Sequence, residues 1–402
     1  MKTLFTNARL ILPPAEKSGG SGCGSLLVEE GVIRSVVPSG EGDSISDIDQ
    51  IIDCYGDFLA PGLVDLHCHG ALGRDAMEAT PEAFREILRY HASNGTTTVV
   101  LTTVASSLPE MLAVLACAER CRDEALDFLF AGIHLEGPYF SPLRRGAHRA
   151  EMLRLPSEGE TSALLDHAGM IRRMTLAPEL PGSLKLIRML SQKGISVSAG
   201  HSDATEEEAL AGFAAGITQV THLHNAMSSI RKTAPDSRRG LAEAALETPG
   251  ILCELIADGI HVSPELLREA WMSKGWGQVA LVSDATAGAG LEEGGAFDLG
   301  SLPCCIEGGA AWTDQENGRC LAGSTSVLFE GIKTMVVQVG IPIEEAVAMA
   351  SLVPARSLGL EGKLGSIAPG KIANLMRFSN QWKIRNVWIK GKKFQKVRKI
   401  TP

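Results

Sequence analysis

The sequence predicts an α/β fold: a (β/α)8 barrel over residues 61–364, with a small β-sandwich domain built from both chain ends, 1–60 and 365–402. Three observations carry this reading. Eight short apolar runs in the middle of the chain alternate with helix-patterned stretches. Both ends read instead as short strands separated by glycine-bearing turns. Polar groups recur where the apolar runs stop, and a barrel of this kind gathers its active site at the ends of its strands.

The N-terminal part gives strands at Thr3–Leu12, Gly24–Glu29, Gly31–Val37 and Ile51–Cys54, with Ser18–Gly22 a loop by composition. The same style returns near the C-terminus, where Gly365–Lys371 turns into strands at Ala373–Phe378 and Ile384–Ile389. Between them the barrel strands are Leu63–His67, Thr97–Thr102, Phe130–Leu135, Met174–Ala177, Ser196–Ala199, Gln219–His222, Cys253–Ala257 and Gln278–Ser283. Helices fall at Pro81–Asn94, Glu110–Ala125, Leu184–Lys193, Glu206–Ala215 and Pro264–Lys274. Asn94-Gly95 and Lys193-Gly194 are helix stops, because glycine reaches the left-handed conformation that ends a helix. An open doubly wound sheet would also alternate strands and helices, but no Gly-x-Gly-x-x-Gly opens a helix after the first barrel strand.

Composition narrows the function. A net charge of −9 argues against nucleic acid as the main partner, and the basic tail (Lys390, Lys392, Lys393, Lys396, Arg398, Lys399) reads as solvated surface. No run approaches the ~18 apolar residues of a membrane span, and Met1–Leu10 lacks the apolar core of a secretory leader. The nine cysteines are scattered without a Cys-x-x-Cys, as in a cytoplasmic protein with reduced thiols.

The most informative string is Leu63-Val64-Asp65-Leu66-His67-Cys68-His69-Gly70. Side chains two apart on a strand point the same way, so His67 and His69 can meet at one point. Alone, such a pair is weak evidence. His201, His222 and His261 also follow apolar runs, and Glu136 and Asp284 end two more. Mixed imidazole and carboxylate ligation of His67, His69, Glu136, His201, His222 and Asp284 suits Zn, Fe, Mn or Co, with one or two ions. A carboxylate such as Glu136 can bridge two ions, and a metal yields hydroxide at neutral pH. Asp284, flanked by small residues, is the candidate that takes the water's proton. Singly, each histidine reads equally well as a satisfied strand-end residue, and Asp284 has a helix N-cap as its lesser alternative. Their joint placement favours a catalytic metal centre.

Several strings resemble the amidohydrolase superfamily and, within it, the N-acetylglucosamine-6-phosphate deacetylase family: Ala60–Gly70, His134-Leu135-Glu136-Gly137-Pro138, Gly146-Ala147-His148, Ala199-Gly200-His201, His222-Leu223-His224-Asn225-Ala226-Met227, Asp258-Gly259-Ile260-His261, Ser283-Asp284-Ala285-Thr286 and Leu321-Ala322-Gly323-Ser324. The resemblance implies that Glu136, His201 and His222 hold the common metal, and that His67 and His69 add a second ion with Glu136 bridging. It makes Asp284 the acid–base and His261 a substrate contact that polarises the acetyl carbonyl. It places Ala147, His148, Asn225 and Ala226 against the sugar or its phosphate, and Leu321, Ala322 and Gly323 near the acetyl group. It further implies a homodimer.

One departure stands out. Where the family has a short Arg-Glu-Pro-Gly segment whose Arg reaches phosphate, this chain has the longer Ser228–Ala242, so Arg231, Arg238 or Arg239 could take that role. The resulting expectation is a metal-dependent deacetylase of an N-acetyl amino sugar, N-acetylglucosamine 6-phosphate first. The alternatives are N-acetylgalactosamine 6-phosphate or an unphosphorylated N-acetyl compound, and more remotely a non-catalytic sugar-phosphate sensor, which the presence of Asp284 disfavours.

Overall fold

The computed structural model describes residues 1–14, 23–38, 46–123, 130–233, 236–315 and 318–395. The expected loop at Ser18–Gly22, the end of the second helix at Ala125 and the tail residues Lys396, Arg398 and Lys399 lie outside the described residues.

The barrel is present. Its eight parallel strands are Leu63–Cys68, Thr96–Thr102, Phe130–Glu136, Ile171–Leu176, Ser196–Ala199, Ile217–Val220, Leu252–Ile256 and Val279–Val282, each beside the next in chain order. The ring closes just past the eighth strand, where the Asp284 N–H donates to the His67 carbonyl at 2.9 Å and Cys68 bridges Ala285. Every residue of the first and second strands is buried, because one face meets the barrel interior and the other the helices. That double burial is why these strands read as unbroken apolar runs.

The helices follow from local signals. Thr80 caps Pro81–Ser93 by accepting from the Ala83 N–H at 3.2 Å, and Phe84, Ile87 and Leu88 bury one face at helical spacing. Thr205 and Glu208 form a reciprocal capping box at the start of Glu206–Ala215.

Two barrel strands, the fourth and the sixth, are shifted by more than one residue from expectation. The fourth strand starts at Ile171, ahead of the expected Met174. Two arginines hid its first half: Arg172 is exposed, whereas Arg173 is buried in an ion pair with Glu254. The sixth strand ends at Val220, because His222 at φ 32° has left the extended conformation a ladder requires.

The chain ends form one continuous eight-stranded sheet. Phe58–Pro61 pairs antiparallel with Leu375–Phe378, which ties the N-terminal strands to the C-terminal ones. Phe5, Leu26, Ile33, Leu59, Leu375 and Trp388 make its core, with Phe5 edge-on to Trp388 at 4.9 Å.

A four-stranded antiparallel meander, Ala296–Leu299, Leu302–Glu307, Ala310–Gln315 and Gly318–Leu321, follows the eighth barrel strand and was not expected. Phe297, Leu299 and Ile306 pack it onto Val104 and Met77, so its last strand delivers Leu321 to the barrel mouth. The nine cysteines form no disulfide. Among the described residues no helix is long and apolar enough to cross a membrane.

Candidate metal-dependent active site

The barrel topology brings six dispersed residues to one point. His67 and His69 come from the end of the first strand, Glu136 from the last position of the third, and His201, His222 and Asp284 from just beyond the fifth, sixth and eighth. His67 Nε2 lies 3.1 Å from His69 Nε2 and 3.2 Å from Asp284 Oδ1. His201 Nε2 lies 3.1 Å from His222 Nε2. Glu136 stands between the two groups. Its Oε1 is 3.4 Å from His67 Nε2, 3.4 Å from His201 Nε2 and 3.2 Å from His222 Nε2, and its Oε2 is 3.3 Å from His69 Nε2.

These separations fit metal ligation. Donors about 2.0–2.1 Å from a tetrahedral ion stand roughly 3.4 Å from one another. Two imidazole pairs, each turning its Nε2 atoms toward the other at 3.1 Å, match that spacing. The Arg144 carbonyl accepts from His201 Nδ1 at 2.9 Å, which leaves the Nε2 lone pair free to ligate. The residues therefore suit one ion at His201, His222 and Glu136, and another at His67, His69, Glu136 and Asp284.

The electrostatics agree. Burial pushes Glu136 and Asp284 upward, but surrounding imidazoles outweigh it: Glu136 is held well below the carboxylate range, and Asp284 at about 2. His69 is raised to about 9, burial notwithstanding, by its contacts with Asp284 and Glu136. Ionised carboxylates buried at this depth call for cations.

Backbone strain accompanies the site. His201, His222 and Asp284 have φ of 49°, 32° and 48°, in the left-handed region that non-glycine residues avoid. Each residue turns sharply off its strand end there.

A cavity of about 280 Å³ opens over this cluster. It is lined by the expected Ala147, His148, Asn225, Ala226, His261, Leu321 and Gly323, and also by Val104, Leu143, Arg144 and Leu299. His261 Nδ1 is 2.7 Å from Asp258 Oδ2, leaving Nε2 as the free ring nitrogen. Burial opposes protonation of His261, but Asp258, helped by Asp284, raises its pKa.

The family model of the amidohydrolase family matches residues 58–394. The chain belongs to the amidohydrolase family. It is a hydrolase acting on an amide. It is 35% identical over 336 residues to N-acetylglucosamine-6-phosphate deacetylase of Vibrio furnissii, covering 83% of this chain and 82% of that one. To N-acetylgalactosamine-6-phosphate deacetylase of Escherichia coli O157:H7 it is 33% identical over 370 residues, with 91% and 93% covered. The crystal structure of N-acetylglucosamine-6-phosphate deacetylase from Pasteurella multocida superposes with a TM-score of 0.90 at 30% identity, over 98% of this chain and 99% of that one.

Within this amidohydrolase, four expected substrate contacts are placed differently. Ala322 does not line the cavity: its N–H donates to the Ala311 carbonyl at 3.0 Å, and its side chain joins the apolar cluster under the meander. Arg239 is 2.6 Å from Glu247 and 3.5 Å from Glu206, and does not line the cavity either. Arg231 and Arg238 face each other across a hairpin, and both are exposed. Ala234 and Pro235 of that hairpin, and the side chain of Lys232, lie outside the described residues. Among the described residues, the guanidinium that lines the cavity is Arg144. Its Nε is 2.8 Å from Asp203 Oδ1, and that same oxygen pairs with Arg231. Arg144 lies two residues before the Gly146-Ala147-His148 string, so its sequence signal was adjacency to a motif already singled out.

Proposed function

We propose that this amidohydrolase removes the acetyl group from N-acetylglucosamine 6-phosphate, giving acetate and glucosamine 6-phosphate. The observation that carries the reading is Glu136 lying between two imidazole pairs, with Asp284 beside one of them, under a cavity of sugar size. The donor set suits two divalent ions, of Zn, Fe, Mn or Co. An ion bound there supplies acidified water and a Lewis acid for the acetyl carbonyl.

The chain's own residues do the rest. Asp284 takes the proton of the attacking water and hands it to the amide nitrogen as the C–N bond breaks, so the amine leaves neutral. His261 donates from Nε2 to the acetyl oxygen as negative charge grows on it, and Asp258 holds that ring in place. Arg144, linked to Arg231 through Asp203, lines the cavity and is the guanidinium assigned here to the 6-phosphate. A cytoplasmic homodimer is part of the same reading.

A second reading, N-acetylgalactosamine 6-phosphate as substrate, has the similarity to the Escherichia coli enzyme in its favour. The test is acetate release by metal-loaded protein from both N-acetylhexosamines, each with and without the 6-phosphate. Turnover of the glucosamine phosphate at least as efficient as that of the other three supports the first reading. Preference for the galactosamine phosphate supports the second, and preference for unphosphorylated sugar overturns both.

A further inference from the structure

Beneath the metal-ligand cluster, a buried ion pair spans the barrel interior. Arg173 comes from the fourth strand and Glu254 from the seventh, which are not neighbours in the sheet. They are 1% and 0% exposed. Arg173 Nη1 donates to Glu254 Oε1. The other carboxylate oxygen, Oε2, has no hydrogen-bond partner, and it stands 3.7 Å from His67 Nδ1, which has none either. Two orphaned buried atoms thus face each other, one a natural acceptor and the other a nitrogen able to carry a proton.

We propose that Glu254, held by Arg173, is a positioning residue for His67: it accepts the Nδ1 proton and so keeps the Nε2 lone pair directed at the ion shared with His69, Glu136 and Asp284. The inference rests on the two-ion reading above. It also makes the two ions unlike. His201 is oriented by a neutral backbone carbonyl, that of Arg144, whereas His67 is oriented by a carboxylate, which makes its ring the more basic ligand. Arg173 is needed because a carboxylate with no countercharge is disfavoured at this depth.

The substitution Glu254→Gln separates this role from packing. Arginine only donates, so the Gln oxygen stays on Arg173 and its NH2 turns to His67 Nδ1. Nδ1 must then accept, the ring proton moves to Nε2, and Nε2 can no longer ligate. The tautomer is read by nitrogen-15 NMR of histidine-labelled, metal-free protein, in solution alkaline enough that the His67 ring carries a single proton. Metal affinity is read by chelator competition with Zn²⁺. The wild type is expected to show His67 protonated at Nδ1 and to take up two ions. Glu254→Gln is expected to show the Nε2–H form and to bind one ion about 10- to 100-fold more weakly, with the other unchanged. The pair Arg173→Met with Glu254→Leu removes both charges together, and is expected to weaken the same ion should the single variant fold poorly. An unchanged tautomer in Glu254→Gln, or equal loss at both ions, overturns the proposal. If the wild type binds only one ion, the two-ion reading fails, and the tautomer of metal-free protein decides the positioning role by itself.

Discussion

Asp284 and His67 are joined twice: the Asp284 N–H donates to the His67 carbonyl at 2.9 Å, and Asp284 Oδ1 lies 3.2 Å from His67 Nε2. The first contact closes the barrel between its last and first strands. The second sets the proposed acid–base against the imidazole of a proposed metal ligand. Closure of the fold and placement of the proton acceptor are therefore one geometric event.

Replacing Asp284 by Asn keeps the shape and the backbone bond but removes the proton acceptor. The expected result is a folded protein whose kcat falls by at least ~10²-fold. Steady-state acetate release, with metal content measured on the same sample, checks it; near-normal turnover in a metal-replete variant would end the assignment.

Loss of His201 or His222 is expected to cost both metal and activity. Loss of His67 is expected to remove one ion at most and leave residual turnover, since the His201–His222–Glu136 group does not depend on it. Metal analysis of the three Ala variants tests this ordering.

Stripping the ions leaves four imidazoles and two carboxylates packed without their cations, so the apo protein is expected to melt lower. Each ion at a thousandfold excess over its Kd stabilises by about 4 kcal/mol through mass action. A Tm that does not respond to chelator or to added Zn²⁺ would contradict the ligand assignment.

Asp258→Asn is expected to lower kcat/KM and to destabilise in a pH-dependent way. The folded pKa of His261 is raised, so the pair's contribution is complete below the unfolded value of 6.5 and is lost as pH rises through the folded value. Asp258 is held below its unfolded 3.8, so its share is present above that value and disappears in acid as the folded carboxyl protonates. The stability gap between wild type and variant should be widest in weakly acidic solution and should shrink on the alkaline side. Urea denaturation across pH reads it, and a gap that widens with alkalinity has the wrong sign.

Arg144→Ala is expected to raise KM for the 6-phosphate substrate and to leave an unphosphorylated analogue nearly unaffected. Arg239→Ala is expected to do neither, because Glu206 and Glu247 already engage that guanidinium. The ratio of kcat/KM for the two substrates is the readout.

Strand ends and ligand types were legible because both are local. An apolar run that stops at His, Glu or Asp reports a buried strand and the group at its tip, as at His67, Glu136 and Asp284. The meander after the eighth strand was not legible, since short strands such as Ala296–Leu299 bury only alternate residues and owe their order to packing on Val104 and Met77. Nor was the start of the fourth strand, where Arg173 looks like surface until Glu254 is found opposite it.

By itself, then, the sequence determined the barrel, the identity of the six polar side chains that converge at its mouth and the family to which the chain belongs, because periodicity and motif spacing are carried along the backbone. Tertiary structure alone decided which guanidinium reaches the cavity, which face of Leu321-Ala322-Gly323 it meets, and that Glu254 lies behind His67. The Arg173–Glu254 pair joins residues 81 positions apart, and the His67–Glu254 pair residues 187 apart. Contacts of that range depend on how strands close across an interior, and no local pattern encodes them.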